Sequence, residues 1–454
     1  MKEDLMTNYQ KIINTVLLCS IIIVNQSNAI AENDSFKAFK AYQSYSRNWM
    51  NMNATAIARD NFHPQAYVNN QFITAIDAPM IEANYQASFT ALRANNYWYS
   101  EEKLTFCKHS DSTYQVFNHY DRYKYDGSLL QSELATTYLM EKQQGLWKFV
   151  YLSSIAPDWQ NTGCDEYLNY EFLPKDQSFR DSINSRWNGN FIQLDDGYTY
   201  YEQANKEANK HIVLVHGFSV PSYIWEPTYQ EAIRRGYGVI RYDTYGRGFS
   251  DNPDTAYSTE LLATQLINLL NALALEKVHL VGLSDGGRTV ADIAARFPNR
   301  IEQLIFVAPA GFHDDPDIVD KNVSEQEVST FISEVHPRIG QGQLADFYIP
   351  EKFKHWGTRY NGLLKYQGFA KALLSTRKNY QLMEPTHQAI HQNQTKTSFM
   401  WGTHDSVLPL NEVRIKINAL LPDAKLYEFS QSGHLPHMEE EEKFNQILFE
   451  EILK

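Results

Sequence analysis

The chain has 454 residues, enough at about 150 per domain for roughly three units with a buried core. Apolar residues make up 43% and charged residues 21%, a globular composition that excludes a disordered tail and a membrane bundle. The 41 Lys and Arg against 54 Asp and Glu leave a net charge of -13 with no basic run, so nucleic acid is not expected as a partner. Its three cysteines are too few for a disulfide scaffold, and none is spaced like a zinc ligand, so no structural metal is expected and no cofactor is assigned.

Residues 1–31 read as a signal peptide. Ile12–Val24 is uncharged and mostly apolar, Lys2 and Lys11 precede it, and Ala29-Ile30-Ala31 follows, with cleavage expected near Ala31. At 1.5 Å per residue this run reaches only about 20 Å, short of a hydrocarbon core of about 30 Å, so no permanent membrane anchor is expected. The alternative is a buried N-terminal helix. Export to a bacterial periplasm or beyond the cell would expose Cys107 and Cys164 to oxidising conditions. Whether they pair or stay separate is open at this point, because spacing does not give geometry.

Residues 32–160 open with a helical stretch and continue in strand-like runs. Thr113–Tyr125 ends at the turn signal Asp126-Gly127. Thr136–Met140 and Leu146–Leu152 flank a polar turn over Glu141–Gly145 and predict a hairpin. Helices followed by antiparallel strands give an α+β unit. The pattern resembles the NTF2-like (SnoaL-like) cone family, through its helical start and its last hairpin ending in Leu146-Trp147-Lys148-Phe149-Val150-Tyr151-Leu152. The resemblance implies a cone-like domain that dimerises, binds small apolar molecules or catalyses. His63, His119 and Asp121 are the candidates to line such a pocket, with no catalysis assigned to them. Residues 161–190 carry Gly163 and Pro174 among polar side chains without a period and read as a linker.

From residue 191 to 454 short apolar runs alternate with helical stretches. The runs are Ile212–Val215, Val239–Tyr242, Val278–Val281, Leu304–Ala308, Ser398–Trp401 and Leu426–Phe429. Leu261–Leu275 and Val290–Phe297 have helical spacing. Strands apolar on both faces and separated by helices predict a doubly wound, mostly parallel α/β sheet.

Gly282-Leu283-Ser284-Asp285-Gly286 follows the run Val278–Val281 and opens a helical stretch, the strand-turn-helix context of a nucleophile elbow. A nucleophile on so tight a turn is exposed, and the helix start behind it offers N–H groups to an oxyanion. A hydroxyl also needs a base, and the base an orienting acid.

Several motifs in order make this half resemble the α/β-hydrolase family. They are His216-Gly217-Phe218 after Ile212–Val215, Asp243-Thr244-Tyr245-Gly246-Arg247-Gly248-Phe249-Ser250, the elbow, Trp401-Gly402-Thr403-His404-Asp405, and Ser432-Gly433-His434. The resemblance implies Ser284 as nucleophile, His434 as base, Asp405 as acid, and the main-chain N–H groups of Phe218 and Asp285 as the oxyanion hole. Asp243 takes a structural role. Asp314, Asp315 or Asp317 are alternatives for the acid, and His437 for the base. Asp285 stands where relatives often carry Met, Gln or Leu, and a carboxylate there weakens oxyanion stabilisation unless it is paired or points away.

Residues 311–396 are too long for a loop and contain helical pieces, including Glu325–Val335 and Gly362–Arg377. They predict a cap, whose Phe312, Phe331, Phe347, Tyr348, Phe353, Trp356, Tyr360, Tyr366 and Phe369 either form an apolar pocket or pack the cap's own core. The acidic run Glu439–Glu442 is expected to start the last helix. The whole predicts an exported serine hydrolase, a carboxylesterase or lipase acting on small or lipid-like esters. A C–C bond hydrolase, an amidase and a thioesterase use the same groups. Homodimerisation through the N-terminal unit is a further expectation, and a binding or interaction protein acting through that unit is the rival from another class.

Overall fold

A computed structural model describes residues 34–69, 73–158, 164–168, 173–313 and 319–454. The segment expected as a signal peptide and the alternative acids Asp314, Asp315 and Asp317 lie outside the described residues. Among the described residues no helix is long and apolar enough to cross a membrane.

The N-terminal part begins with the helix Asp34–Met50. Seven strands follow: β1 (Phe62–Asn69), β2 (Ile73–Asp77), β3 (Tyr97–Ser110), β4 (Thr113–Lys124), β5 (Leu129–Gln143), β6 (Leu146–Ser154) and β7 (Asp165–Leu168). They form one sheet in the order β2-β1-β6-β5-β4-β3-β7. It is antiparallel except where β1 runs parallel to β6. The helix Ala78–Ala94 starts at Asp77, whose carboxylate caps the Met80 amide at 3.0 Å. Aromatic rings build this core: Tyr42 meets Phe106, Tyr138 and Phe149 edge-on, geometry that suits the ring quadrupoles.

The β5–β6 hairpin runs further than its sequence pattern indicated. Pairing continues to Gln143 and Leu146, and the turn shrinks to Gln144 and Gly145, both at positive φ (50° and 83°). Two such residues match the right-handed twist of the flanking strands, so polar Glu141 and Lys142 are drawn into the ladder.

Residues 161–190, expected as a linker, contribute β7 and the helix Gln177–Arg186. A Cys107–Cys164 disulfide, with Cα atoms 4.7 Å apart, ties β3 to the residue before β7. Arg186 donates to the carbonyls of Met50, Tyr97 and Trp98, which fastens that helix to the first sheet.

The second sheet contains β8 (Asn190–Leu194), β9 (Gly197–Ala204), β10 (His211–Val215), β11 (Gly238–Tyr242), β12 (Val278–Leu283), β13 (Ile301–Val307), β14 (Thr397–Gly402) and β15 (Lys425–Phe429). Their order is β15-β14-β13-β12-β10-β11-β9-β8. Strands β10 to β15 are mutually parallel, and β8 and β9 close one edge as an antiparallel pair. Every residue of β11 and β12 is buried, the pattern of strands covered on both faces.

The segment between β13 and β14, expected as a cap, touches the first sheet. Trp98 and Tyr99 of β3 donate to the carbonyls of Arg359 (3.1 Å) and Thr358 (3.0 Å), and both rings join the core that holds Tyr360 and Leu363. The helix expected over Gly362–Arg377 is broken. A short turn over Gly362–Lys365 precedes Gly368 at φ 82°, and the helix runs over Phe369–Lys378. Leu173 takes the place of helical partners there, donating to Lys365 and accepting from Gln367.

Candidate active site

Parallel strands place their carboxyl ends at one edge of a sheet. Ser284 follows β12, Asp405 follows β14 and His434 follows β15, so three residues far apart in sequence share that edge.

Ser284 has φ +52°, a conformation that L-residues adopt at a cost of about 1 kcal/mol or more. Its amide donates to Val307 O at 2.9 Å, and its carbonyl accepts from Gly287 (2.8 Å) and Ala310 (2.9 Å). The flanking glycines are sterically required. A Cβ at Gly282 would lie 2.7 Å from Gly286 O, and one at Gly286 would strike the carbonyls of His216 and Val215. Among the described residues Ser284 Oγ forms no hydrogen bond.

The loop after β10 lies against the elbow, since a Cβ on Gly217 would stand 3.1 Å from Ser284 Cβ. His216 Nε2 accepts from the Thr244 amide at 3.0 Å, so its proton is on Nδ1 and goes to Gly217 O at 2.9 Å. Burial, with Arg247 nearby, pushes the His216 pKa down to about 3 and keeps the ring neutral. The Gly217 carbonyl and the Phe218 N–H belong to one planar trans peptide and point opposite ways, so His216 fixes the direction of that N–H. Arg247 Nε holds Phe218 O at 2.8 Å. Asp243 accepts from the amides of Ser222 (2.9 Å) and Phe249 (2.8 Å) and organises this turn.

Asp405 and His434 are joined, Nδ1 to Oδ2, at 2.8 Å. The other donors to Asp405 are Trp401 Nε1 on Oδ2 (3.1 Å) and the Val407 and Leu408 amides on Oδ1 (2.9 Å each). These four bonds fix the carboxylate, and with it the ring. Burial disfavours the charged ring of His434, but Asp405, by charge and hydrogen bond, and then Asp346 and Glu439 hold its pKa above the ordinary histidine value. Among the described residues Nε2 forms no hydrogen bond.

His437 sits elsewhere. Its Nε2 faces Ile224 O at 3.1 Å, its ring lies 4.4 Å from that of Trp225, and burial pushes its pKa down to about 3. His404 stacks on Tyr348 at 3.9 Å. The Asp285 carboxylate is buried and paired, its Oδ1 3.5 Å from Arg288 Nε.

The cap reaches this edge in a way the motifs do not announce. The His434 amide donates to Asp346 O at 2.8 Å. Glu439 accepts from Gly433 (2.7 Å), Tyr348 (2.7 Å) and Ile349 (3.2 Å), so it staples the cap to the histidine loop, while the last helix starts at Glu441. An acidic residue shortly after a Gly-His pair was the only available signal. Of the cap aromatics, Phe347 stacks on Phe353 (4.0 Å), Trp356 meets Tyr223 (5.3 Å) and Tyr360 meets Phe369 (5.9 Å), so these rings pack a core.

Of His63, His119 and Asp121, expected to line a pocket, His119 and Asp121 line a recess and His63 does not. Residues alternate across a strand, and Asn118, Tyr120 and Arg122 of β4 line a cavity of about 390 Å³ with Tyr45, Trp49 and Tyr85. His119 and Asp121 line a recess of about 890 Å³ with Glu101 and Lys365, and it shares Glu102 and Tyr120 with that cavity. His63 bonds locally to Gln65. No group of three or more metal-ligating side chains occurs among the described residues.

Residues 210–386 match a family model described as the alpha/beta hydrolase fold. An uncharacterized protein of Mycobacterium tuberculosis is 25% identical over 264 residues, 52% of this chain and 73% of that protein. A 2-hydroxy-6-oxononadienedioate/2-hydroxy-6-oxononatrienedioate hydrolase of Paraburkholderia phymatum is 26% identical, over 53% of this chain and 85% of that enzyme. The structure of an esterase from Exiguobacterium antarcticum superposes with a TM-score of 0.50 at 22% identity, covering 59% of this chain and all of the esterase. The chain therefore carries the α/β-hydrolase fold.

Proposed function

We propose that the protein is a serine hydrolase that cleaves carboxylic esters of small or lipid-like molecules through an acyl-enzyme. Ser284 Oγ attacks the carbonyl carbon as His434 Nε2 takes its proton, and Asp405 orients the ring and stabilises its charge. The main-chain N–H groups of Phe218 and Asp285 hold the oxyanion. The protonated His434 then gives its proton to the leaving alcohol, and water activated by the same ring releases the acid. This reading is carried by the buried His434–Asp405 pair, 2.8 Å apart, at the sheet edge where Ser284 occupies a turn at φ +52°. Its test is turnover of short and long p-nitrophenyl esters by wild type and Ser284→Ala. Equal rates for the two proteins would refute it.

A second reading, hydrolysis of a carbon–carbon bond by the same groups, is favoured by the 2-hydroxy-6-oxononadienedioate hydrolases among the relatives. Turnover of such a dienedioate with no turnover of any ester would select it. We also propose export, supported by the apolar run Ile12–Val24 and by the Cys107–Cys164 disulfide. The mass of the mature N-terminus tests it.

A further inference from the structure

Asp285 directly follows the proposed nucleophile, and its amide is one of the two proposed oxyanion donors. Its carboxylate is buried at 6% exposure, close to where the reacting carbonyl becomes an alkoxide. In a water-poor site an unpaired carboxylate would oppose that charge. Its partner is on the next helical turn. Arg288, 2% exposed, places Nε 3.5 Å from Asp285 Oδ1, donates through Nη1 to Gln381 O at 3.0 Å, and lies 4.3 Å from the ring centre of Tyr380.

Stability alone does not account for this arginine. An aspartate at a helix start is already favoured by the dipole, and a buried ion pair adds little net stability. The arrangement is matched on the other oxyanion donor, where Arg247, 1% exposed, holds Phe218 O and bonds Thr376 Oγ1 at 2.8 Å. Burial works against the charge on Arg247 and Asp285 works for it. Two buried cations thus stand behind the proposed oxyanion hole against one carboxylate.

We propose that Arg288 is a positioning residue for oxyanion stabilisation: it neutralises the Asp285 carboxylate, so that the Asp285 main-chain N–H can stabilise the alkoxide formed during ester cleavage. The proposal rests on the serine-hydrolase reading and explains how the chain tolerates a carboxylate beside its nucleophile. Because the alkoxide forms in both acylation and deacylation and is absent from the bound ester, loss of Arg288 acts on kcat and spares KM.

The test uses the full chain and p-nitrophenyl butyrate. Arg288→Met lowers kcat on the order of tenfold or more with KM within about twofold, and adding Asp285→Asn to that variant restores most of the loss. Should Arg288→Met fail to fold, Arg288→Gln, which keeps an N–H donor for Gln381 O, carries the same test. A double variant as slow as the single one at equal thermal stability overturns the proposal, as does full kcat in the folded single variant. Ser284→Ala run alongside separates the two levels. Turnover that survives Ser284→Ala removes the serine reading and this proposal with it, whereas Ser284-dependent turnover that Asp285→Asn fails to rescue removes only the role of Arg288.

Discussion

The main-chain N–H of His434 donates to the carbonyl oxygen of Asp346 at 2.8 Å, so the proposed base is hydrogen-bonded to the cap through its own backbone. The Asp346 carboxyl is close enough to His434 and Asp405 to feel both charges, and burial pushes its pKa up to about 6. The cap therefore adds a titrating negative charge beside the proposed base.

From this follows the pH dependence. Proton abstraction from Ser284 needs neutral His434, whose pKa is raised by Asp405, Asp346 and Glu439 against the effect of burial. Activity accordingly falls as pH drops through a value above the ordinary 6.5 or so. Asp346→Asn removes one of the three carboxylates, lowers the His434 pKa and moves the acid limb of the kcat/KM profile to lower pH. The shift arises only where Asp346 is ionised, above about pH 6. An unmoved acid limb would show that the cap carboxyl does not act on the base.

Asp405→Asn puts an amide where Trp401 Nε1 and His434 Nδ1 now donate. It favours the wrong imidazole tautomer, and kcat is expected to fall about 10⁴-fold with the fold retained. His437→Phe gives the contrasting result. The ring stays against Trp225, Ile224 O loses its partner, and stability drops by about 1–3 kcal/mol while kcat per folded molecule is kept. Initial rates and urea denaturation on both variants check the pair.

Gly286→Ala drives a methyl group into the carbonyls of His216 and Val215. Backbone atoms cannot move aside as a side chain can, so the loop after β10 and the elbow are pushed apart. The expected result is loss of more than about 90% of kcat together with a lower thermal midpoint, measured by circular dichroism and ester turnover.

The disulfide closes a separation of 57 residues between Cys107 and Cys164. Its removal by Cys107→Ser with Cys164→Ser releases the denatured chain and is expected to cost roughly 2–4 kcal/mol of stability. Ser284-dependent turnover at low temperature persists, because the crosslink belongs to the first sheet. Denaturant titration with and without reductant reads the difference.

The amino-acid sequence by itself indicated the second sheet and the strand-turn-helix around Ser284, and the family resemblance singled out Asp405 and His434 after later strands. Those features are local: an apolar run, glycines that a tight turn cannot do without, and a Gly-His or Gly-x-x-Asp segment after a strand. The sequence also indicates strands in the first sheet without indicating which face closes over which cavity: His119 and Asp121 line one recess, Asn118 and Arg122 another. Only the tertiary structure decided the Cys107–Cys164 pair, the strand within residues 161–190, the stapling by Glu439 and the partner of Asp285. Each of these depends on which distant backbone a side chain meets. A buried carboxylate reads the same in a sequence whether it faces three amides, an arginine or nothing, and the difference lies in desolvation and Coulomb energy, which only three-dimensional distance sets.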